Sequence, residues 1–268
     1  MVTVRLAGGL GNQIFQFAAA LLYANGEQDI VLDTSGMSRY ESKHTNELMK
    51  FFDLSHYNMS IREANSYIAK MRLAKLFAFK IVDWPLIGDK NFEFSEEFEY
   101  HQNIFMDGYF QEGLTQQAFD KEVELLKPLL IRKNFAVESA DVCIIHIRGG
   151  DFVRLGWNTV TPKEYYQAAI THMQTGNVKF HIVTDDREYA KNVFDDMGIE
   201  YKFVGSSIIE DFFLIGAYSK RILSSSTFSF WASALGNNVG SAVVAPSYWI
   251  PERKRKIFLP NEIRLEMF

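Results

Sequence analysis

From Val142 onward, short apolar runs alternate with stretches whose apolar residues recur at helical spacing, and no other feature limits the fold as strongly. Val142–Ile147 and residues 180–183, 201–204, 222–223 and 243–245 read as strands. Helical patterns occupy 162–173, 187–197, 208–218 and 228–235, with Pro162 at a first turn, where its missing N–H costs nothing. Such alternation builds a parallel doubly wound sheet.

A β-α-β unit opens the chain. Residues 2–6 form a strand, Ala7-Gly8-Gly9-Leu10-Gly11 turn the chain, and Asn12 is placed to cap a helix through Ile14, Phe15, Phe17, Ala18, Leu21 and Leu22. Ile30-Val31-Leu32 follows as a second strand, and 34–58 reads as loops with a short helix. The pattern predicts a helix over 61–80, made basic by Lys70, Arg72, Lys75 and Lys80. A strand over 104–110 and a helix over 114–126, stopped by Pro128, complete this half. The polar stretch 133–141 is the candidate boundary, giving lobes 1–135 and 136–268. The expected class is α/β.

Composition narrows the function. With 28 Lys plus Arg against 33 Asp plus Glu, the net charge of -5 argues against a nucleic-acid binder, which needs a basic face. The lone Cys143 rules out an intramolecular disulfide and a cysteine metal cluster, and reads as a small buried hydrophobe. No charged segment precedes an apolar run at the start, so a cytoplasmic protein is expected.

Chemistry concentrates at strand ends. Cys143-Ile144-Ile145-His146-Ile147-Arg148-Gly149-Gly150-Asp151 is a buried strand that releases a histidine, an arginine and an aspartate at the ligand-facing end. Alternation puts His146 and Arg148 on one face, and a guanidinium there suits bidentate phosphate binding. A local Arg148–Asp151 ion pair with a satisfied core His146 is the bland reading. After the next strand, Thr184-Asp185-Asp186 offers Asp186 as a helix cap and leaves Asp185 to accept from a base or ribose. Ser224-Ser225-Ser226-Thr227-Phe228 runs into a helix start, where hydroxyls and unpaired N–H groups favour an anion. The turn at Gly9 and Gly11, with Asp33 ending the next strand, imitates a dinucleotide fingerprint, but Ile14 stands where its third glycine belongs. That turn is therefore either plain or a site, with Asn12, for a phosphate or a sugar hydroxyl. Asp-x-Asp and His-x-x-x-His are both absent, so no metal is expected, and a departing diphosphate would be neutralised by arginine and backbone N–H groups.

Gly8-Gly9-Leu10-Gly11-Asn12-Gln13, Gly108-Tyr109-Phe110-Gln111, His146-x-Arg148-x-x-Asp151-Phe152, Tyr165-Tyr166-x-x-Ala169-Ile170, Thr184-Asp185-Asp186 and Ser225-Ser226-Thr227-Phe228-Ser229-x-Trp231-Ala232 occur in this order. The set resembles the α-1,2-fucosyltransferases of glycosyltransferase family 11. The resemblance implies a GT-B-like fold, two Rossmann-like lobes with parallel sheets and a cleft between them, with GDP-β-L-fucose held mainly by the second lobe and the first on the acceptor side. It implies inverting, metal-independent transfer to the 2-hydroxyl of a galactose-type acceptor, with no cofactor. His146 would contact the nucleoside, Arg148 the β-phosphate and Asp185 guanine. Ser225, Ser226, Thr227 and Phe228 would line the diphosphate and base. Asn12, with Gly9 and Gly11, would reach the fucose or phosphate across the cleft. Where the family commonly has a second arginine this chain has Gly149, so either one cation suffices or another residue, such as Arg154 or Arg5, replaces it.

For the general base, Asp151 comes first and Asp33 second. Bacterial relatives often act on lipid-linked oligosaccharides, and two basic stretches are candidates for peripheral contact with the inner membrane. One is Lys70, Arg72 and Lys75 with Leu73, Leu76 and Phe77; the other is Arg253-Lys254-Arg255-Lys256. A fucosyltransferase of another linkage is an alternative, and two readings of other classes remain open: a nicotinamide-dependent dehydrogenase using Gly9, Gly11 and Asp33, and a non-catalytic carbohydrate-binding module suggested by 15% aromatic residues. The first leaves Arg148 and the Ser226 turn without a role. The second needs no nucleotide-type strand ends.

Overall fold

The computed structural model describes residues 1–26, 28–34, 37, 46–55, 61–64, 86–88, 103–133, 135, 141–156, 161–174 and 176–267. The chain divides into two compact units, Met1–Ile131 and Arg132–Phe268.

The N-terminal unit holds a five-stranded parallel sheet in the order β3-β2-β1-β5-β4. Its strands are β1 (Val2–Arg5), β2 (Ile30–Asp33), β3 (Ile61–Ala64), β4 (Leu86–Ile87) and β5 (Ile104–Met106). Helix α1 (Leu10–Ala24) is buried along almost its whole length, because its Leu, Ile, Phe and Ala residues leave no polar face. Helix α2 (Gln116–Leu126) packs beside it, capped by the Thr115 hydroxyl accepting from Ala118 N at 3.2 Å. Two expectations are corrected. The cap of α1 is Gly9, and Asn12 sits inside the first turn instead. Residues 61–64 form strand β3 rather than the start of a helix, paired in register with β2; apolar periodicity alone cannot separate a short helix from a buried strand. The remainder of that expected helix, with Lys70, Arg72, Lys75, Leu73, Leu76, Phe77 and Lys80, lies outside the described residues.

The C-terminal unit carries a six-stranded parallel sheet, β13-β10-β9-β6-β7-β8. The strands are β6 (Val142–Ile147), β7 (Lys179–Thr184), β8 (Tyr201–Phe203), β9 (Lys220–Ile222), β10 (Ala242–Pro246) and β13 (Glu262–Leu265), with β11 (Tyr248–Ile250) and β12 (Arg253–Lys254) as a separate hairpin. Counted from β6, this is the order 3-2-1-4-5-6 of a dinucleotide-type sheet. Helices α3 (Gly150–Arg154), α4 (Lys163–Met173), α5 (Arg187–Phe194), α6 (Ile208–Ala217) and α7 (Thr227–Leu235) link the strands. Every residue of β6 is buried, as a central strand covered on both faces requires. Cys143 lies in that core, where burial pushes its thiol pKa up.

β10 is not the last strand. Edge strand β13 is polar and escapes a hydrophobicity pattern; the buried Arg255–Glu262 pair helps hold it, with Arg255 Nη1 also donating to Ile257 O at 2.7 Å. Arg255 is thus a core residue stacked 5.0 Å from Phe230, not one of four surface cations. Arg221, fully buried on β9, has no carboxylate partner among the described residues. It donates to Gly216 O (2.9 Å), Tyr218 O (2.6 Å), Ser233 O (3.1 Å) and Asn238 Oδ1 (2.8 Å), so one cation serves the negative ends of both α6 and α7. Burial lowers its pKa to about 10.

Candidate functional site

The C-terminal sheet changes direction between β6 and β9, since β6 leads out to β7 and β8 on one side and β9 returns on the other. Ligands of open α/β sheets bind outside the carboxyl ends of strands at such a point. Register decides which side chains meet there. Ile147 lies opposite Thr184, so Arg148 and Asp185 leave adjacent strands side by side. Ile145 lies opposite Ile222, which brings His146 to the Ser224 turn.

Arg148 is gripped by two carboxylates. Its Nη1 lies 2.7 Å from Asp185 Oδ2, Nη2 bonds Asp151 Oδ1, and the guanidinium sits 5.2 Å from the Phe152 ring. Asp185 is therefore not free: its other oxygen accepts from Gly149 N at 2.8 Å. The bland local pair Arg148–Asp151 is present, and a second carboxylate is added to it. Arginine offers five donors, and two carboxylates leave some for a phosphate.

The glycine pair makes this closure possible. A Cβ on Gly149 would lie 2.7 Å from Asp186 Cβ and 2.9 Å from a Tyr189 ring carbon. On Gly150, whose φ is +42°, it would lie 2.4 Å from Asp185 Oδ2. Asp186 caps α5, accepting from Tyr189 N at 3.0 Å, and that turn fills the space where a second arginine would start. Of the proposed replacements, Arg5 pairs with Asp107 at 3.1 Å in the N-terminal unit, and Arg154 is exposed at the end of α3.

His146 is almost fully buried, its Nδ1 lies 2.8 Å from Ser224 Oγ, and its ring is 5.7 Å from Phe228. Burial, and then the Arg148 charge, push its pKa down to about 3, so it is neutral at physiological pH. The hydroxyl run is largely spent on the fold. Ser225 Oγ donates to Tyr248 O at 3.1 Å and Ser226 caps α7 by accepting from Phe228 N at 3.3 Å. What this exit offers a ligand is the N-terminus of α7, opened by Thr227 and Phe228.

One carboxyl escaped the sequence reading. Asp211, in the first turn of α6, is half-buried against the loop after β8, and a Cβ on Gly205 would lie 1.9 Å from its Oδ1. Burial first, then Glu210, opposed by Arg187 and assisted by Asp185, brings its pKa up to about 7. The signal was available, since Gly205-Ser206-Ser207 is another strand exit. In the N-terminal unit Asn12 Oδ1 accepts from Gln111 Nε2 at 3.1 Å, and Asp33 is fully buried. Gly9 and Gly11 belong to the turn and first helical residues of α1. Among the described residues no cluster of three or more His, Cys, Asp or Glu is placed to hold a metal ion, and no helix is long and apolar enough to cross a membrane.

Two Rossmann-like units with parallel sheets, the second with an arginine at its switch point, are the GT-B class of fold. The family model described as glycosyl transferase family 11 matches residues 1–266, and the chain belongs to that family. It is 25% identical to the O-antigen biosynthesis glycosyltransferase WbnK of Escherichia coli, covering 97% of this chain and 99% of that protein. It is 27% identical to an alpha-1,2-colitosyltransferase of Escherichia coli, covering 97% and 96%. The fucosyltransferase NodZ from Bradyrhizobium shares the fold at a TM-score of 0.54 and 14% identity, over 88% of this chain and 91% of that one.

Proposed function

We propose that the protein transfers L-fucose from GDP-β-L-fucose to the 2-hydroxyl of a galactose-type residue, with inversion and without a metal, in the synthesis of an O-antigen-like surface polysaccharide. The cytoplasmic face of the inner membrane is the setting we propose. The observation that carries the reading is the Arg148 cluster at the switch point of the C-terminal sheet. Family membership and the O-antigen assignment of WbnK support it. The basic run 253–256 adds less to membrane contact than its composition promised, because Arg255 is buried.

In the reaction the acceptor hydroxyl attacks the anomeric carbon as the bond to the β-phosphate breaks, its proton passing to a base and the electron pair leaving with GDP. Negative charge grows on the β-phosphate, where Arg148 stabilises it more than in the ground state. Asp151 and Asp185 hold the guanidinium in one orientation, which is the positioning that electrostatic catalysis needs. Asp151 orients the guanidinium and is the first candidate to take the proton, and Asp33, the second, is fully buried. Guanine presents N–H donors that suit a carboxylate with open oxygens. Asp185 and Asp211 both fit that role: each Asp185 oxygen accepts one bond and keeps a further lone pair, and Asp211 adds a half-buried carboxyl. His146, Phe228 and the start of α7 flank the nucleoside and diphosphate.

Arg148→Ala is expected to lower kcat by about 10²–10³ while the protein melts normally. Turnover near the wild-type level would remove the assignment. A second reading, transfer of colitose, rests on the 27% identical alpha-1,2-colitosyltransferase; rates with GDP-fucose and GDP-colitose compared side by side decide between them.

A further inference from the structure

Helix α4 sends two buried tyrosines beneath the exits of β6 and β9. Tyr165 spends its hydroxyl on the backbone, donating to Leu223 O at 2.7 Å. Tyr166 does more. Its hydroxyl donates to His146 O at 3.3 Å, and a carbonyl can only accept, so the one phenolic proton is committed. Burial raises the pKa of this phenol well above its usual value, and the Thr161 and Ser224 hydroxyls oppose that rise, as donors to the phenolic oxygen do. Thr161 Oγ1 in turn accepts from Ser225 N at 2.9 Å, which leaves its own proton for Tyr166.

The order of protons follows from these bonds. Ser224 Oγ lies 2.8 Å from His146 Nδ1, and one of the two must donate. With its proton given to Tyr166, Ser224 has only lone pairs to offer the imidazole, so Nδ1 carries the hydrogen. The ring itself is neutral, because burial and then the Arg148 charge hold its pKa at about 3. A neutral imidazole with hydrogen on Nδ1 keeps a lone pair on Nε2. Among the described residues none is hydrogen-bonded to that nitrogen.

We infer that Tyr166, acting through Ser224, is a positioning residue that fixes His146 in the Nδ1–H tautomer, so that Nε2 accepts a hydrogen bond from an O–H or N–H group of the nucleoside. This deepens the GDP-fucose reading above and rests on it. Arg148 and His146 then divide the donor by polarity: the guanidinium donates to phosphate, and the imidazole accepts from the nucleoside.

Long-range proton–nitrogen NMR of protein labelled at its histidine rings reads the tautomer, with His146 assigned from the spectrum of His146→Asn. GDP affinity is measured by calorimetry on the same samples. The expected wild-type form is Nδ1–H, with or without GDP. Tyr166→Phe frees the Ser224 proton for Nδ1, so the Nε2–H form should appear and GDP affinity should fall about tenfold. Tyr165→Phe removes another buried hydroxyl outside this set of bonds; it should lower the melting temperature and leave tautomer and affinity as they are. An Nε2–H wild type overturns the inference. So does a Tyr166→Phe protein that merely melts lower, or a tautomer change of equal size in Tyr165→Phe. Should Tyr166→Phe fail to fold, Ser224→Ala, which takes the acceptor away from Nδ1, carries the same comparison. GDP lacking the ribose 2′- or 3′-hydroxyl, and IDP, which lacks the guanine amine, identify the donating group. The analogue without it should lose affinity on the wild type and lose less on Tyr166→Phe; equal penalties on both proteins for every analogue overturn the role of Nε2. A wild type that shows the Nδ1–H form and binds no GDP strikes the proposed function and still supports the tautomer.

Discussion

Asp211 and Glu122 show how the same physical force, removal of a carboxyl from water, leads to two different consequences. Asp211 titrates at about 7 in the folded protein, so below that pH the carboxylate that would accept from guanine becomes protonated. With one such group, GDP affinity is expected to fall about tenfold between pH 8 and pH 6, and Asp211→Asn should flatten the profile at the weak end. His146, near 3, stays neutral throughout that range and adds nothing to the slope. Calorimetric titrations across the interval check this; a flat wild-type profile would take Asp211 out of the donor site. Glu122 is fully buried on α2, both its oxygens lack hydrogen-bond partners, and burial raises its pKa well above the usual carboxylate range. A carboxyl raised in the folded state imposes no cost at low pH. Stability is lost as pH rises above the unfolded value, at up to ~1.4 kcal/mol per pH unit until the folded value is reached. Glu122→Gln should therefore gain stability over the wild type at pH 8 and lose that advantage at pH 4. Denaturation curves that stay parallel at both pH values would contradict this. Neither residue's environment is legible locally, because each owes its shift to segments that pack on it from elsewhere.

The strand-end turns carry the chemistry at the level of elements. Gly150→Ala places a Cβ in the Asp185 carboxylate and strains a positive φ, so Asp185 must move off Arg148. Gly156→Ala is the matched control, with φ +62° and nothing within 4 Å of the added carbon. Both should lose ~1 kcal/mol or more of stability from the backbone alone, but only Gly150→Ala should lower kcat substantially. Equal activities in the two variants would show that Asp185 does not position the arginine. Several of these elements were readable from sequence: Asp186 caps α5 as its place before Arg187 predicts, and β6 is the fully buried strand its apolar run requires. Asn12 misled because a glycine with an extended backbone, φ -72° and ψ 174°, already ends the turn at Gly9. Strand β13 escaped because a short polar edge strand needs only one pairing partner and the buried Arg255–Glu262 pair, neither of which periodicity records.

Among the described residues each unit holds one large parallel sheet with its own switch point. GDP at about 100 times its Kd would stabilise the protein by ~2.7 kcal/mol, so amides that exchange through opening of the bound region should slow about 100-fold. Hydrogen exchange is expected to show that protection at the exits of β6, β7 and β8 and the start of α7. Protection spread equally over β1 and β2 would contradict donor binding by the C-terminal unit. By itself the sequence determined the class of fold, since short apolar runs alternating with helical stretches can bury their faces only as parallel sheets flanked by helices. It also determined that arginine, histidine and hydroxyl groups leave the strands at their carboxyl ends. Tertiary structure alone decided who meets whom. The pairing of Ile147 with Thr184 delivers Asp185 to Arg148, the α5 cap occupies the space beside Gly149, and Gln16 ties two loops that lie far apart in the chain. Strand register and close packing are properties of the assembled sheet, and no local stretch of residues contains them.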